Sequence, residues 1–347
     1  MSKSTLRTLA KTTGAVILLA TTAAAAVAQD LTGAGATFPY PMYSKWFNDY
    51  AIKTNVKINY QSIGSGGGVR QISEQTVDFG ATDGPMSDEE LGKAKGGKIL
   101  HIPTVMGADV VVYNLPELKA PLKLDGALIA DIFLGKITKW NDPRIAAENK
   151  GVALPATDIV VVHRSDGSGT TYIWTDYLTS VSKDWAAGPG KGKDVKWPVG
   201  IGGKGNEGVA GQVKQIPGTI GYVELVYARQ NKLSYAHIKN AHGNYVDATI
   251  ESVTAAASEI AKGLPKDSDY RISIVNAPGK DAYPISSLTW LLVYENQANS
   301  EKGKKLVDFL KWMLADGQKS APSLDYAPLP GAIVRQLQDR IKQIKVG

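Results

Sequence analysis

The sequence contains no cysteine. That absence excludes thiol catalysis, cysteine-ligated zinc and a disulfide framework, and it excludes a lipid-anchored lipoprotein, which needs cysteine at its cleavage site. A chain of 347 residues can bury an adequate core without covalent staples, so an oxidising compartment stays compatible with it. Histidine is scarce. His101, His237 and His242 are scattered, no H-E-x-x-H or comparable spacing occurs, and no metal site is expected. Lys and Arg are interspersed with Asp and Glu without a basic block or aromatic interleaving, so nucleic acid is not an expected partner. A G-x-S-x-G elbow and a Walker A sequence are both missing, and hydrolysis therefore lacks its signatures.

Long apolar runs are absent too, apart from one near the start. Lys3, Arg7 and Lys11 precede Gly14 to Ala20, and an alanine-rich run ends in Ala26-Val27-Ala28. A basic stretch, an apolar stretch and an A-x-A site together read as a secretory signal spanning residues 1–28, with cleavage after about Ala28. The apolar part is shorter than the roughly 20 residues a spanning helix needs, so export rather than anchoring is expected. Removing it takes away three positive charges and no negative one, leaving +3 of the formal +6.

What remains has an ordinary globular composition, 43% hydrophobic and 21% charged, with room for two lobes. Apolar stretches of strand type alternate with amphipathic stripes. Val56 to Tyr60, Thr76 to Asp83, Ala108 to Asn114, Ile159 to Val162, Thr219 to Val223 and Ile285 to Tyr294 read as strands. Met42, Trp46, Phe47 and Tyr50 mark one helix, Leu128 to Leu134 another, residues 207–215 a third, and two more close the chain. Ser87-Asp88-Glu89-Glu90 resembles a capping box. This alternation predicts an α/β fold. Residues 231–283 are weakly periodic and give no clear elements.

Three strand–turn–helix units place a hydroxyl at a helix N-terminus: Thr37, Ser65, and Ser168 with Thr170. Singly, each is an ordinary cap or turn residue. Together they can converge, because strand ends in an open α/β sheet gather where ligands bind and free N–H groups at helix starts attract anions. Arg164 adds a planar fork suited to an oxyanion, and Asp166 is placed to hold that fork in one pose. His163 points to the opposite face of its strand and reads as packing. Gly200-x-Gly202-x-x-Gly205 with Glu224 beyond fits the dinucleotide fingerprint as a pattern, but the segment before it carries Pro198 and the chain holds 36 glycines, so chance explains it better. Ser168 as a phosphatase nucleophile lacks an evident base.

Five motifs carry a resemblance. Leu31 to Pro39, Tyr60 to Gly68, Val77 to Asp83, Arg164 to Thr170 and Trp197 to Asn206 are similar, in order, to the periplasmic phosphate-binding proteins of bacterial phosphate ABC importers. The likeness continues through Pro217 to Glu224, Tyr283 to Ser286 and Leu324 to Pro330. It implies the two-lobed type II solute-binding fold, a mixed sheet with flanking helices in each lobe and the ligand in the cleft between them. It divides the chain into residues 29–107 plus 284–347 and residues 108–283. Transferred position by position, the phosphate contacts are Thr37, Phe38, Ser65, Asp83, Arg164, Ser168, Gly169 and Thr170, with Asp166 as partner of Arg164. The resemblance also implies no cofactor and no catalysis, binding of phosphate and its isostere arsenate, a periplasmic location, and delivery to an inner-membrane ABC permease. A monomer is expected. The competing class is a secreted phosphate-binding protein with phosphatase activity. Asp83 is the candidate for selectivity, because a carboxylate can accept a proton from phosphate but meets sulfate as an unpaired like charge.

Overall fold

A computed structural model describes residues 30–261 and 269–347. The expected export signal lies outside the described residues, as does part of the stretch from 231 to 283. The chain begins β1 (Leu31–Gly35), α1 (Tyr40–Thr54), β2 (Ile58–Ser62), α2 (Ser65–Ser73), β3 (Phe79–Thr82), α3 (Asp88–Gly92) and β4 (Ile99–Tyr113). It continues with β5 (Lys123–Leu124), α4 (Gly126–Phe133), α5 (Pro143–Glu148), β6 (Val160–Arg164), α6 (Gly169–Val181), α7 (Lys183–Ala187), β7 (Ile201–Gly203), α8 (Gly205–Gln215), β8 (Thr219–Glu224) and α9 (Leu225–Asn231). Short strands β9 (Ser234–Tyr235), β10 (His237–Lys239) and β11 (Tyr245–Val246) lead to α10 (Ile250–Ala261). The last part holds β12 (Ser286–Tyr294), β13 (Asn296–Gln297), α11 (Ser300–Ala315), α12 (Gly331–Ile341) and β14 (Lys345–Val346).

The principal sheet runs in the order β2-β1-β3-β12-β4-β8-β6-β7, and its key member is β4. Its fifteen residues are all buried, so its sequence lacks the alternation of a half-exposed strand. Residues Ile99 to Ala108 pair antiparallel with β12, and Asp109 to Tyr113 pair antiparallel with β8. The strand thus changes partner partway along and belongs to two half-sheets. The sequence had suggested a strand beginning only at Ala108. Pro103 and Gly107 look like breakers, but a register shift around Leu288 and Trp290 absorbs the irregularity.

Following the pairings, β1 and β3 run parallel to β4, whereas β6 is parallel to β8 and so runs the opposite way. The carboxyl ends of the two parallel sets therefore face each other near the middle of β4, rather than lining one edge as the sequence alone suggested. Each half packs its own aromatic cluster. Tyr43, Phe47 and Tyr60 stack with Phe79 and Phe309 on one side. On the other, Trp174 stacks on Tyr222 at 4.7 Å and Phe133 packs against it at 4.9 Å. Fully buried aromatic side chains of this size contribute roughly 3–5 kcal/mol each when truncation is the measure.

Candidate functional site

The loops after β1, β3 and β6 meet where the two half-sheets face each other. Thr37, Ser65, Asp83, Arg164, Ser168 and Thr170 are all buried there, none more than 3% exposed. Arg164 ends β6, and its guanidinium fork grips the Asp166 carboxylate through Nε to Oδ1 at 2.8 Å and Nη2 to Oδ2 at 2.6 Å. The remaining arm, Nη1, donates to Thr170 Oγ1 at 3.1 Å. The Gly205 amide donates to Asp166 Oδ1 at 3.0 Å, and so the carboxylate is itself held by the start of α8. Burial opposes the Arg164 charge, but the Asp166 pair outweighs it and keeps the guanidinium above its ordinary pKa. Burial likewise opposes the Asp166 charge, and Arg164 outweighs it, holding the carboxylate below its usual range. The pair is ionised and internally neutral.

Ser168 caps α6 as its sequence position indicated, accepting the Thr171 N–H at 3.0 Å. Gly169 and Thr170 form the first turn, with Gly169 pressed against Asp83 and Ser65 from the other half. A methyl group on Gly169 would overlap Asp83 Oδ2 and Ser65 Oγ. Gly64, at φ +87°, precedes α2 and lies against the Asp166 carboxylate, a place and conformation that only glycine accepts readily. One main-chain bond joins the facing loops, Gly66 N–H to Gly167 C=O at 2.8 Å. At the rim, Lys193 Nζ bridges to Glu90 Oε2 at 2.9 Å.

Asp83 follows β3 and is 1% exposed. Its backbone N–H donates to Ser65 Oγ at 3.1 Å, and Thr289 Oγ1 donates to its Oδ1 at 2.7 Å. Burial pushes its pKa up to about 7, against the pull of Thr289, Arg164 and Ser65. Phe38 is fixed through its main chain, its carbonyl accepting the Tyr326 hydroxyl at 2.6 Å, while its ring lies over Gly107. All nine residues proposed from the sequence are thereby brought together. They offer hydroxyls, helix-start N–H groups and one guanidinium around one carboxyl.

Several participants escaped the sequence reading. Thr289 is aimed at Asp83 from the register shift in β12. Asn206, at the start of α8, joins Thr37 to Thr170 through its side chain. Asp109 and Glu224 stand opposite each other on β4 and β8, both fully buried, and both Asp109 oxygens lack a hydrogen-bond partner among the described residues. Burial, reinforced by Asp83 and by each other's or neighbouring carboxyls, raises both well above the carboxylate range. The dinucleotide pattern dissolves: β7 falls inside the glycine run instead of ahead of it, and Glu224 caps α9 by accepting the Val226 N–H at 2.8 Å. His163 packs as expected, stacked on Trp197 at 4.6 Å.

Comparison with known proteins adds an independent line. The family model of the PBP superfamily domain matches residues 20–316. The phosphate-binding protein PstS of Pasteurella multocida is 47% identical over 331 residues, covering 94% of each chain. That of Xylella fastidiosa is 48% identical over 309 residues, covering 89% of this chain and 84% of its own. Among solved structures, the phosphate-binding protein of Stenotrophomonas maltophilia superposes with a TM-score of 0.71 at 20% identity, over 90% of this chain and 94% of its own.

Proposed function

The chain belongs to the PstS family of phosphate-binding proteins, with relatives at 47% and 48% identity over most of its length, and from that premise we propose that it captures inorganic phosphate in the periplasm and delivers it to an inner-membrane ABC permease. One observation carries the reading: an enclosed pocket of hydroxyl, amide and guanidinium donors closed by the single carboxyl of Asp83. A tetrahedral anion fits this set, with its oxygens as acceptors and its proton facing Asp83. The contacts are Thr37, Phe38, Ser65, Asp83, Arg164, Ser168, Gly169 and Thr170, with Asp166 steadying Arg164.

The Asp83 pKa near 7 means that one proton is shared between carboxyl and ligand. Phosphate keeps a proton at neutral pH, arsenate does the same, and sulfate brings none. The lobes are residues 29–107 with 284–347 and residues 108–283. The partner exchange of β4 between Ala108 and Asp109 supports that division. They close on the ligand by hinge motion, as periplasmic binding proteins do. Turnover is not part of the role: among the described residues, the one hydrogen bond to the Ser168 hydroxyl comes from the Thr171 N–H, so no base activates it. The mature protein begins after about Ala28 and acts as a monomer.

Calorimetric titration of mature protein, stripped of ligand, with phosphate, arsenate and sulfate at pH 8 tests the proposal. Stoichiometric binding of the first two and none of the third is expected. Comparable affinity for sulfate would sink the role given to Asp83.

A further inference from the structure

Asn206 is fully buried and touches both walls of the pocket. Its orientation is fixed by chemistry: the backbone N–H of Glu224 can only donate, and it reaches Asn206 Oδ1 at 2.9 Å. Nδ2 therefore faces the hydroxyls, donating to Thr37 Oγ1 at 2.8 Å and to Thr170 Oγ1 at 3.0 Å. A hydroxyl has two lone pairs and one hydrogen. On Thr170 the second lone pair takes the Arg164 Nη1 hydrogen at 3.1 Å. On Thr37 it takes the Asn206 backbone N–H at 3.4 Å. Each hydroxyl has spent its capacity to accept. All that either can still offer a third partner is its hydrogen.

We infer that Asn206 is a positioning residue that sets ligand specificity by committing the Thr37 and Thr170 hydroxyls to donate. This rests on the phosphate reading and sharpens it. With both hydroxyls committed as donors, Asp83 is left as the side chain that accepts a proton from the ligand, so the pocket counts the protons its anion carries. Aspartate at 206 would keep the shape and the bond from Glu224 while reversing the polarity, since a carboxylate draws both hydroxyl hydrogens to itself and turns their lone pairs toward the ligand. The charged and titratable groups packed around these atoms are Arg164, Asp166, Glu207, Glu224, Tyr227 and, across the pocket, Asp83. They are common to wild type and variant, so the difference between two pH profiles isolates Asn206.

The test is calorimetric titration with inorganic phosphate from pH 5.5 to 8.5 for wild type, Asn206→Asp and Asn206→Ala, each checked for native circular dichroism. Asn206→Asp is expected to weaken binding on the order of 100-fold at pH 8, the loss of two charge-assisted hydrogen bonds, and less at pH 5.5, where phosphate carries a further proton to give. Asn206→Ala should lose affinity by a smaller factor that stays constant with pH. As a second reading independent of the aspartate variant, the Asn206→Ala loss should nearly vanish in a Thr37→Val, Thr170→Val background. An Asn206→Asp profile parallel to wild type, or Asn206→Ala losses that add fully in that background, would overturn the inference alone. A wild type that binds no phosphate would overturn the proposed function and this inference with it.

Discussion

Replacing Asp83 with asparagine should stabilise the ligand-free protein, and by an amount that depends on pH in a defined way. Burial raises the Asp83 pKa from 3.8 to about 7. An acid whose folded pKa lies above its unfolded one binds more protons when folded, so stability is greatest below about pH 4 and falls as pH rises toward 7. A tenfold change in proton affinity corresponds to about 1.36 kcal/mol, so ionising this carboxyl costs the folded state about 4 kcal/mol at pH 8. Asparagine cannot ionise, yet its carbonyl can still accept the 2.7 Å bond from Thr289. Urea denaturation in phosphate-free buffer at pH 4.5 and 8 should show nearly equal stabilities at the lower pH and an advantage of about 4 kcal/mol for Asp83→Asn at the higher. Asp109 and Glu224, also raised by burial, give both proteins the same decline and cancel in the difference. With that outcome, the wild-type residue is a binding group retained at the expense of stability. A difference independent of pH would refute the argument that Asp83 is held against its charge.

Arg164→Ala should weaken phosphate binding by roughly 2–5 kcal/mol, since it removes a buried charge and strands Asp166; an unchanged dissociation constant would take Arg164 out of the site. Gly169→Ala sets a methyl group against Ser65 and Asp83 across the cleft, so it should favour the open form. Small-angle scattering with saturating phosphate should then show an expanded particle, while a compact one would show that the loops can yield. Asp109→Val replaces a buried carboxyl with two unpartnered oxygens and should raise stability by about 1–3 kcal/mol, read by the same urea series. Loss of stability would mean that Asp109 is satisfied in a way its surroundings do not reveal.

The phosphate loops were readable because their chemistry is local. Ser168 must cap α6, Gly64 must take a positive φ and Arg164 has Asp166 two residues away; each fact follows from a few neighbouring letters. Asn206 was not readable in this way, since an asparagine after a glycine is ordinary turn material and its partners lie 169 and 36 residues away. Thr289 sits in an apolar strand and reaches Asp83 only because a register shift turns it. Strands β9 to β11 have two or three residues each, too few to display a period. The facing of the strand ends followed from pairing alone, which no stretch of sequence encodes by itself.

Strand β4 lends hydrogen bonds to both half-sheets, through Ala108 on one side and Asp109 on the other. Neither half can melt without laying bare a long edge of the other. Although such a molecule is jointed for motion, it should come apart as one cooperative body, and a single denaturation transition is the signature that its joint doubles as its keel.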